Sequence, residues 1–177
     1  KAIVNYIEAK PEYKNVPIVV MGLDMGASTA IISAGELPEI DGLIALSAFS
    51  SWEDIFCDKM AGYSTRFFAK LERPFVIFST SVKYRVNSKL ITPMNGIKKL
   101  GTRPALIMHS KEDSQIPYEN FERIVKSAPS QIETFTREGD LHLIVRGKFT
   151  EPEKDTEYAS VLIGFLEKNF GEKSGML

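Results

Sequence analysis

Between Val16 and Ser33 the chain reads Val-Pro-Ile-Val-Val-Met, then Gly-Leu-Asp-Met-Gly-Ala, then Ser-Thr-Ala-Ile-Ile-Ser. Pro17 can open a strand but cannot sit inside one, and Ile18 to Met21 reads as a strand buried on both faces. A helix of small residues follows at once, so strand must turn into helix almost without a loop. Gly22 and Gly26 permit that turn, because neither adds a Cβ where the incoming strand and outgoing helix nearly touch. Asp24 stands between them. It is pushed clear of both elements, into strained backbone, beside the first free N–H groups of the helix. An all-apolar strand also implies sheet neighbours on both sides.

The rest of the chain alternates in the same way. Ile3, Val4, Tyr6 and Ile7 form a helical stripe that Pro11 stops, and the helix after Asp24 runs from about Met25 to Ala34, with Gly35 as its closing C′ residue. Gly42 to Leu46 is the next buried strand and Ser47 to Ser51 its polar exit. Ser51, with a carboxylate three residues later at Asp54, opens a helix as a capping box does. Ile55, Phe56, Met60, Tyr63, Phe67, Phe68 and Leu71 then recur at helical spacing. Arg103 to Met108 is another buried strand, running into His109 to Asp113. Ile116-Pro117-Tyr118 opens a helix that runs to about Lys126. Gln131 to Thr136 is the last strand, Arg137 to His142 a loop, and Tyr158, Val161, Leu162, Phe165, Leu166 and Phe170 the stripe of a closing helix. Strands and helices in this order make a mostly parallel sheet with helices on both faces. By propensity alone Phe75 to Ser79 is a further strand.

At 177 residues the chain can bury one substantial core, so residues 1–177 are read as one domain. Its formal net charge is −1 and no basic stripe stands out across it, which gives no footprint for nucleic acid. The single Cys57 excludes an internal disulfide framework, and no Cys/His cluster has zinc spacing, so no metal or cofactor is expected. No segment has the length and continuity of a membrane span. No signal peptide is visible, which with the lack of disulfides favours the cytoplasm, although the chain opens inside a helix and its true beginning is expected to lie upstream.

The Gly22 to Ala27 turn resembles the nucleophile elbow of the alpha/beta-hydrolase superfamily, most closely its small esterase-like and peptidase-like serine hydrolases, with Asp24 where they carry serine. Met108-His109-Ser110-Lys111-Glu112-Asp113 followed by Ile116-Pro117 resembles the segment that closes on the family's acid, which makes Asp113 that acid and His109 a structural residue. His142 matches the catalytic histidine, although Glu138-Gly139-Asp140-Leu141 keeps only part of the usual glycine-rich approach. The resemblance implies an alpha/beta-hydrolase-like sandwich with a small helical insertion over the site, at about residues 50–100, with Pro74 at a helix N-terminus. It implies that Asp113 orients His142, that His142 acts as general base, and that the Met25 backbone N–H is half of an oxyanion hole. Met25, Trp52, Phe56 and Met60 are candidate pocket residues, and the implied partner is a small-molecule ester or amide. The resemblance covers nearly all of the chain but only the C-terminal part of a full domain. An N-terminal segment or a second chain is therefore expected to complete the sheet.

Asp24 alters what this constellation can do. Unlike serine it has no proton to give at neutral pH, and beside His142 it is expected to form an ion pair. Acyl transfer would then be lost or impaired, or the domain would be a non-catalytic binding or structural one. A carboxylate can instead displace a leaving group from saturated carbon, as in the haloalkane dehalogenases and epoxide hydrolases of the superfamily. That chemistry needs polarising donors, for which Trp52, Tyr63 and Tyr84 are candidates. Ser28 and Thr29 are packing or capping residues on this reading. Two bland alternatives stand beside it. Asp113 can be a solvated loop carboxylate, and Ile132 to Val145 can be a β-hairpin with His142 as an ordinary strand residue.

Overall fold

The computed structural model describes residues 1–61, 66–85, 87 and 89–174, and only the backbone of 61, 66–70, 72 and 172–174. Tyr63 lies outside the described residues, as do the side chains of Phe67 and Phe68. The elements are α1 (Ala2–Glu8), β1 (Val19–Leu23), α2 (Met25–Glu36), β2 (Gly42–Leu46), α3 (Trp52–Ala61), α4 (Arg66–Tyr84), α5 (Pro93–Lys98), β3 (Ala105–Ser110), α6 (Glu119–Ser127), β4 (Glu133–Arg137) and α7 (Thr156–Ser174). The strands form one parallel sheet in the order β1-β2-β3-β4, with Leu23 opposite Leu46, Leu46 opposite Met108 and Met108 opposite Phe135.

Successive side chains of the central strands point to opposite faces, and each face has its own cover. Leu43, Ala45, Ala105 and Ile107 pack with Ala27 and Ile31 of α2, Ile97 of α5 and Phe121 and Ile124 of α6. Ile44, Leu46, Leu106 and Met108 pack on the other face with Tyr158, Phe165 and Phe170 of α7 and with Ile144 and Val145. A strand covered twice has no polar side to show, which is why β2 and β3 are buried at every position. The outcome is the expected alpha/beta-hydrolase-like sandwich.

Several local expectations give way. β1 is as apolar as β2, yet among the described residues it pairs on one side only and Met21 is 42% exposed. Gly35 does not end α2, which continues to Glu36. Its lack of a side chain serves a helix crossing: a Cβ there would lie 2.4 Å from the Gly96 carbonyl oxygen of α5. Phe75 to Ser79 is helical, as the insertion requires, and Pro74 stands inside α4 rather than at its start.

The insertion departs from the body after Ser50, four residues past the end of β2, and rejoins it at Thr92, which caps α5. Its ends meet, for the Met94 N–H donates to the Ser50 carbonyl at 3.4 Å. Ser51 Oγ caps α3 by accepting from the Asp54 N–H at 3.0 Å, the first half of the expected capping box. The Asp54 carboxylate turns instead to Ser50 Oγ (2.9 Å) and Arg73 (3.2 Å). Arg123 of α6 grips Asp58 of α3 through both oxygens, at 2.8 and 3.1 Å, and Asn120 Nδ2 donates to the same carboxylate at 3.0 Å. This polar clasp fastens the first insertion helix to the body.

Candidate active site

Asp24 has φ 52° and ψ −119°, outside the regions that L-residues prefer, and α2 starts at the next residue. Gly22 makes the turn possible, because a Cβ there would stand 2.2 Å from the Gly26 carbonyl oxygen. Gly26 needs another explanation: a Cβ on it would meet nothing within 4 Å, so the close-approach argument holds for one glycine of the pair only. The strain is held by the sheet. The Asp24 N–H donates to the Leu46 carbonyl at 2.9 Å, extending the β1–β2 ladder one step past the strand end. Ser28 N–H is the donor to the Asp24 carbonyl at 3.1 Å, which leaves the earlier N–H groups of the first turn, that of Met25 among them, without an intrahelical partner.

Asp113 follows β3 on the same carboxyl edge. Its side chain is fully buried, and Oδ1 accepts from the N–H groups of Gln115 and Ile116, both at 2.8 Å. His142 lies in the loop after β4, with Nδ1 at 2.9 Å from Asp113 Oδ2 and 3.1 Å from Oδ1. A carboxylate with this burden of donors accepts, so Nδ1 carries the proton and Nε2 the basic lone pair. Nε2 has no hydrogen-bond partner among the described residues, and the imidazole is 12% exposed. The loop turns and bends with no strand pairing at position 142, which removes the hairpin reading of that histidine. Burial of Asp113 removes the solvated-carboxylate reading as well.

The histidine loop is tied to the strand ends by residues that sequence reasoning passed over. Ser47, just past β2 with φ 53°, donates through Oγ to the His142 carbonyl. Ser110, the last residue of β3, donates to the Gly139 carbonyl and accepts from the Leu141 N–H at 3.1 Å. Asp140 accepts from the Ser114 N–H at 2.9 Å, which lowers its pKa. Behind the loop Arg137, buried, grips Asp155 with both terminal nitrogens and donates to the Ile144 carbonyl at 2.7 Å. Hydrogen bonds from Arg137 hold the Asp155 carboxyl far below the usual carboxylate range. The only advance signal of these ties was small hydroxyl residues at the strand exits, in Leu46-Ser47 and His109-Ser110.

His109 is structural, as its neighbours imply. It is fully buried, its Nε2 lies 2.9 Å from the Ile116 carbonyl, and that carbonyl can only accept, so Nε2 carries the proton. Burial lowers its pKa, and Nδ1 has no partner. Ser28 is structural too, since its hydroxyl bonds the Phe49 carbonyl (3.2 Å) and accepts from the Phe49 N–H (3.1 Å). Thr29 Oγ1 returns to the Met25 carbonyl within α2 at 2.8 Å.

The expected Asp24–His142 ion pair is absent, and the Asp24 carboxylate has no hydrogen-bond or ion-pair partner among the described residues. The imidazole's ion pair is with Asp113, at Nδ1, and Nε2 makes none among the described residues. Of the pocket candidates, Trp52 and Phe56 line a groove of about 590 Å³ with Ser79, Thr80, Lys83, Tyr84 and Ile91. Met25 is 57% exposed at the head of α2, and Met60 is half-buried near the end of α3. Among the described residues no group of three His, Cys, Asp or Glu side chains is placed to hold a metal ion.

No protein-family model matches the chain, and no curated protein matches its sequence. Solved structures match its fold. An esterase domain from a Rhodothermus marinus protein superposes with TM-score 0.60 at 15% identity, covering 94% of this chain and 66% of that one. A Pyrococcus furiosus esterase gives 0.60 at 24% identity, with coverage of 96% and 60%. A puromycin hydrolase gives 0.67 at 17% identity, with 96% of this chain matched to 24% of that chain. These likenesses establish an alpha/beta-hydrolase-like fold, and the chain spans less than two thirds of each of these proteins.

Proposed function

We propose that this chain is part of a hydrolase domain of the esterase or peptidase-like acyl-hydrolase kind, with its nucleophile position occupied by Asp24 and its acyl transfer lost or impaired in consequence. The observation that carries the reading is the strained backbone of Asp24 at the same sheet edge as the Asp113–His142 pair. Asp113 orients the imidazole and fixes its tautomer. His142 Nε2 is the general base, and the Met25 N–H is one oxyanion donor. What is lacking is an acidic hydroxyl proton for Nε2 to take. Against a carboxylic ester, a carboxylate at position 24 attacks weakly and gives an unstable anhydride. The test is Asp24→Ser, assayed by labelling with a fluorophosphonate probe and by turnover of a small aryl ester. The unaltered chain is expected to label and turn over at background. Asp24→Ser gains both, and Asp24→Ser/His142→Ala loses them again. No gain in a variant with an unchanged circular dichroism spectrum points instead to a non-catalytic binding domain.

A second reading is favoured by one observation, the Asp24 carboxylate left free of His142. Such a carboxylate can displace a halide from saturated carbon, or open an epoxide C–O bond to an alkoxide, and so form an alkyl ester, which a water activated by His142 then hydrolyses to the alcohol and the free carboxylate. Trp52 and Tyr84 on the groove are its candidate polarising donors. Single-turnover reaction of a haloalkane or epoxide in oxygen-18 water decides it. The first product must carry unlabelled oxygen from Asp24, and the label must enter the carboxylate.

A further inference from the structure

Helix α4 is built inside out. Leu71, Phe75, Phe78 and Val82 recur at helical spacing on one face and are 67%, 73%, 68% and 61% exposed. The half-buried positions are Val76, Ile77, Thr80 and Ser81, and Thr80 satisfies its hydroxyl within the helix by donating to the Val76 carbonyl at 2.7 Å. A helix that turns its aromatic stripe to water exposes surface whose burial is worth roughly 25 cal/mol per Å². Such a contiguous face marks a contact. Leu90 and Ile91, 64% and 47% exposed, continue the apolar surface beyond the helix end.

The charges around the stripe say what the contact is with. Residues 66–89 contain Arg66, Lys70, Arg73, Lys83, Arg85 and Lys89 against the single acid Glu72, in a chain whose formal net charge is −1. The whole-chain balance conceals this local excess. Arg73 is spent on Asp54, but Lys83, Arg85 and Lys89 are exposed and carry no ion pair among the described residues. An apolar aromatic face with exposed cations at its C-terminal end is the pattern of a helix lying in the plane of an anionic lipid interface. A second copy of the chain fits poorly, because a two-fold contact across this helix would set the same basic segment against itself. A nucleic-acid duplex would use the cations through its phosphates but leave Leu71, Phe75, Phe78 and Val82 in water. Among the described residues no helix is long and apolar enough to cross a membrane, so α4 would lie on it rather than span it.

We infer that the outer face of α4 docks on an anionic lipid surface through Leu71, Phe75, Phe78 and Val82, with Lys83, Arg85 and Lys89 on the headgroups. Sedimentation of the full chain with phosphatidylglycerol/phosphatidylcholine vesicles tests it, with the emission of Trp52, the only tryptophan, as a second readout. Binding is expected to anionic vesicles and to weaken with salt. Phe75→Ser/Phe78→Ser should lower it about a hundredfold. Lys83→Glu/Arg85→Glu should lower it about tenfold or more. All four positions are exposed, so circular dichroism of the variants should not change. No sedimentation with anionic vesicles overturns the inference, as does equal, salt-insensitive binding to neutral ones. Self-association that vanishes in Phe75→Ser/Phe78→Ser, without vesicle binding, assigns the face to a second copy. Anionic-vesicle binding that survives Phe75→Ser/Phe78→Ser removes the apolar stripe from the contact.

Discussion

Removing the Asp155 carboxylate should do more damage than any other single change on the histidine side of the sheet. Arg137 and Asp155 have side chains only 1% and 4% exposed, so neither charge can turn to water when the other goes. Asp155→Ala leaves the guanidinium with the Ile144 carbonyl and with Glu157, which is 52% exposed and worth little. Breaking a buried pair from one side costs about 3–5 kcal/mol. Asp155 also accepts from the N–H groups of Tyr158 (3.2 Å) and Arg146 (2.7 Å), and the loss of the α7 cap adds about 1 kcal/mol. The expected total of about 4–6 kcal/mol is a large part of the stability of a domain this size. In a thermal melt it lowers Tm by about 10–20 °C. Urea titration of Asp155→Ala, Arg137→Met and Arg137→Met/Asp155→Leu measures the coupling. The double variant should be less destabilised than the two single costs added, by about 2 kcal/mol or more. A loss under about 1.5 kcal/mol for Asp155→Ala, or strict additivity, would refute the reasoning.

Acid should unfold the chain in stages. Burial depresses the folded-state pKa of His109, so its contribution is present above the unfolded value near 6.5 and is lost as pH falls below it. The Asp155 contribution, also from a depressed folded-state pKa, is present above about 4 and is lost below that, and His109→Gln should remove only the first stage of a stability–pH curve. Gly35→Ala drives a Cβ into the Gly96 backbone and should cost about 1–3 kcal/mol in urea, whereas Gly26→Ala meets no such contact and costs less. In an Asp24→Ser background, Ser47→Ala and Ser110→Ala free the His142 loop from the strand ends. Each should lower kcat by about tenfold in the ester assay with a smaller change in KM, since positioning rather than binding is lost.

The layering was legible because it rests on pattern. Three apolar runs and one partly alternating run at strand length, each followed by a helical stripe, leave a parallel sheet as the economical arrangement, and the close turn at Asp24 is permitted by Gly22. What the sequence concealed depends on contacts distant along the chain. Gly35 looks like a helix stop until Gly96 is seen against it. Pro74 looks like a helix start, but α4 continues through it. Nothing local to Arg137 announces Asp155, nor anything local to Ser47 its hold on His142. The Asp24–His142 ion pair failed as an expectation because a shared sheet edge does not by itself bring one side chain within reach of the other: Asp113 alone pairs with the imidazole among the described residues.

The meeting of Ser50 and Met94 makes residues 51–93 a closed excursion rather than a link between β2 and β3. Chain statistics treat such a loop leniently, since each doubling of its length adds only about 0.6 kcal/mol of closure entropy. The β2–β3 ladder, from Leu43 opposite Ala105 to Leu46 opposite Met108, contains no residue of the excursion. A change in the length or surface of the excursion would therefore leave Asp113 and His142 where they are, since both follow strands that lie beyond it in the chain.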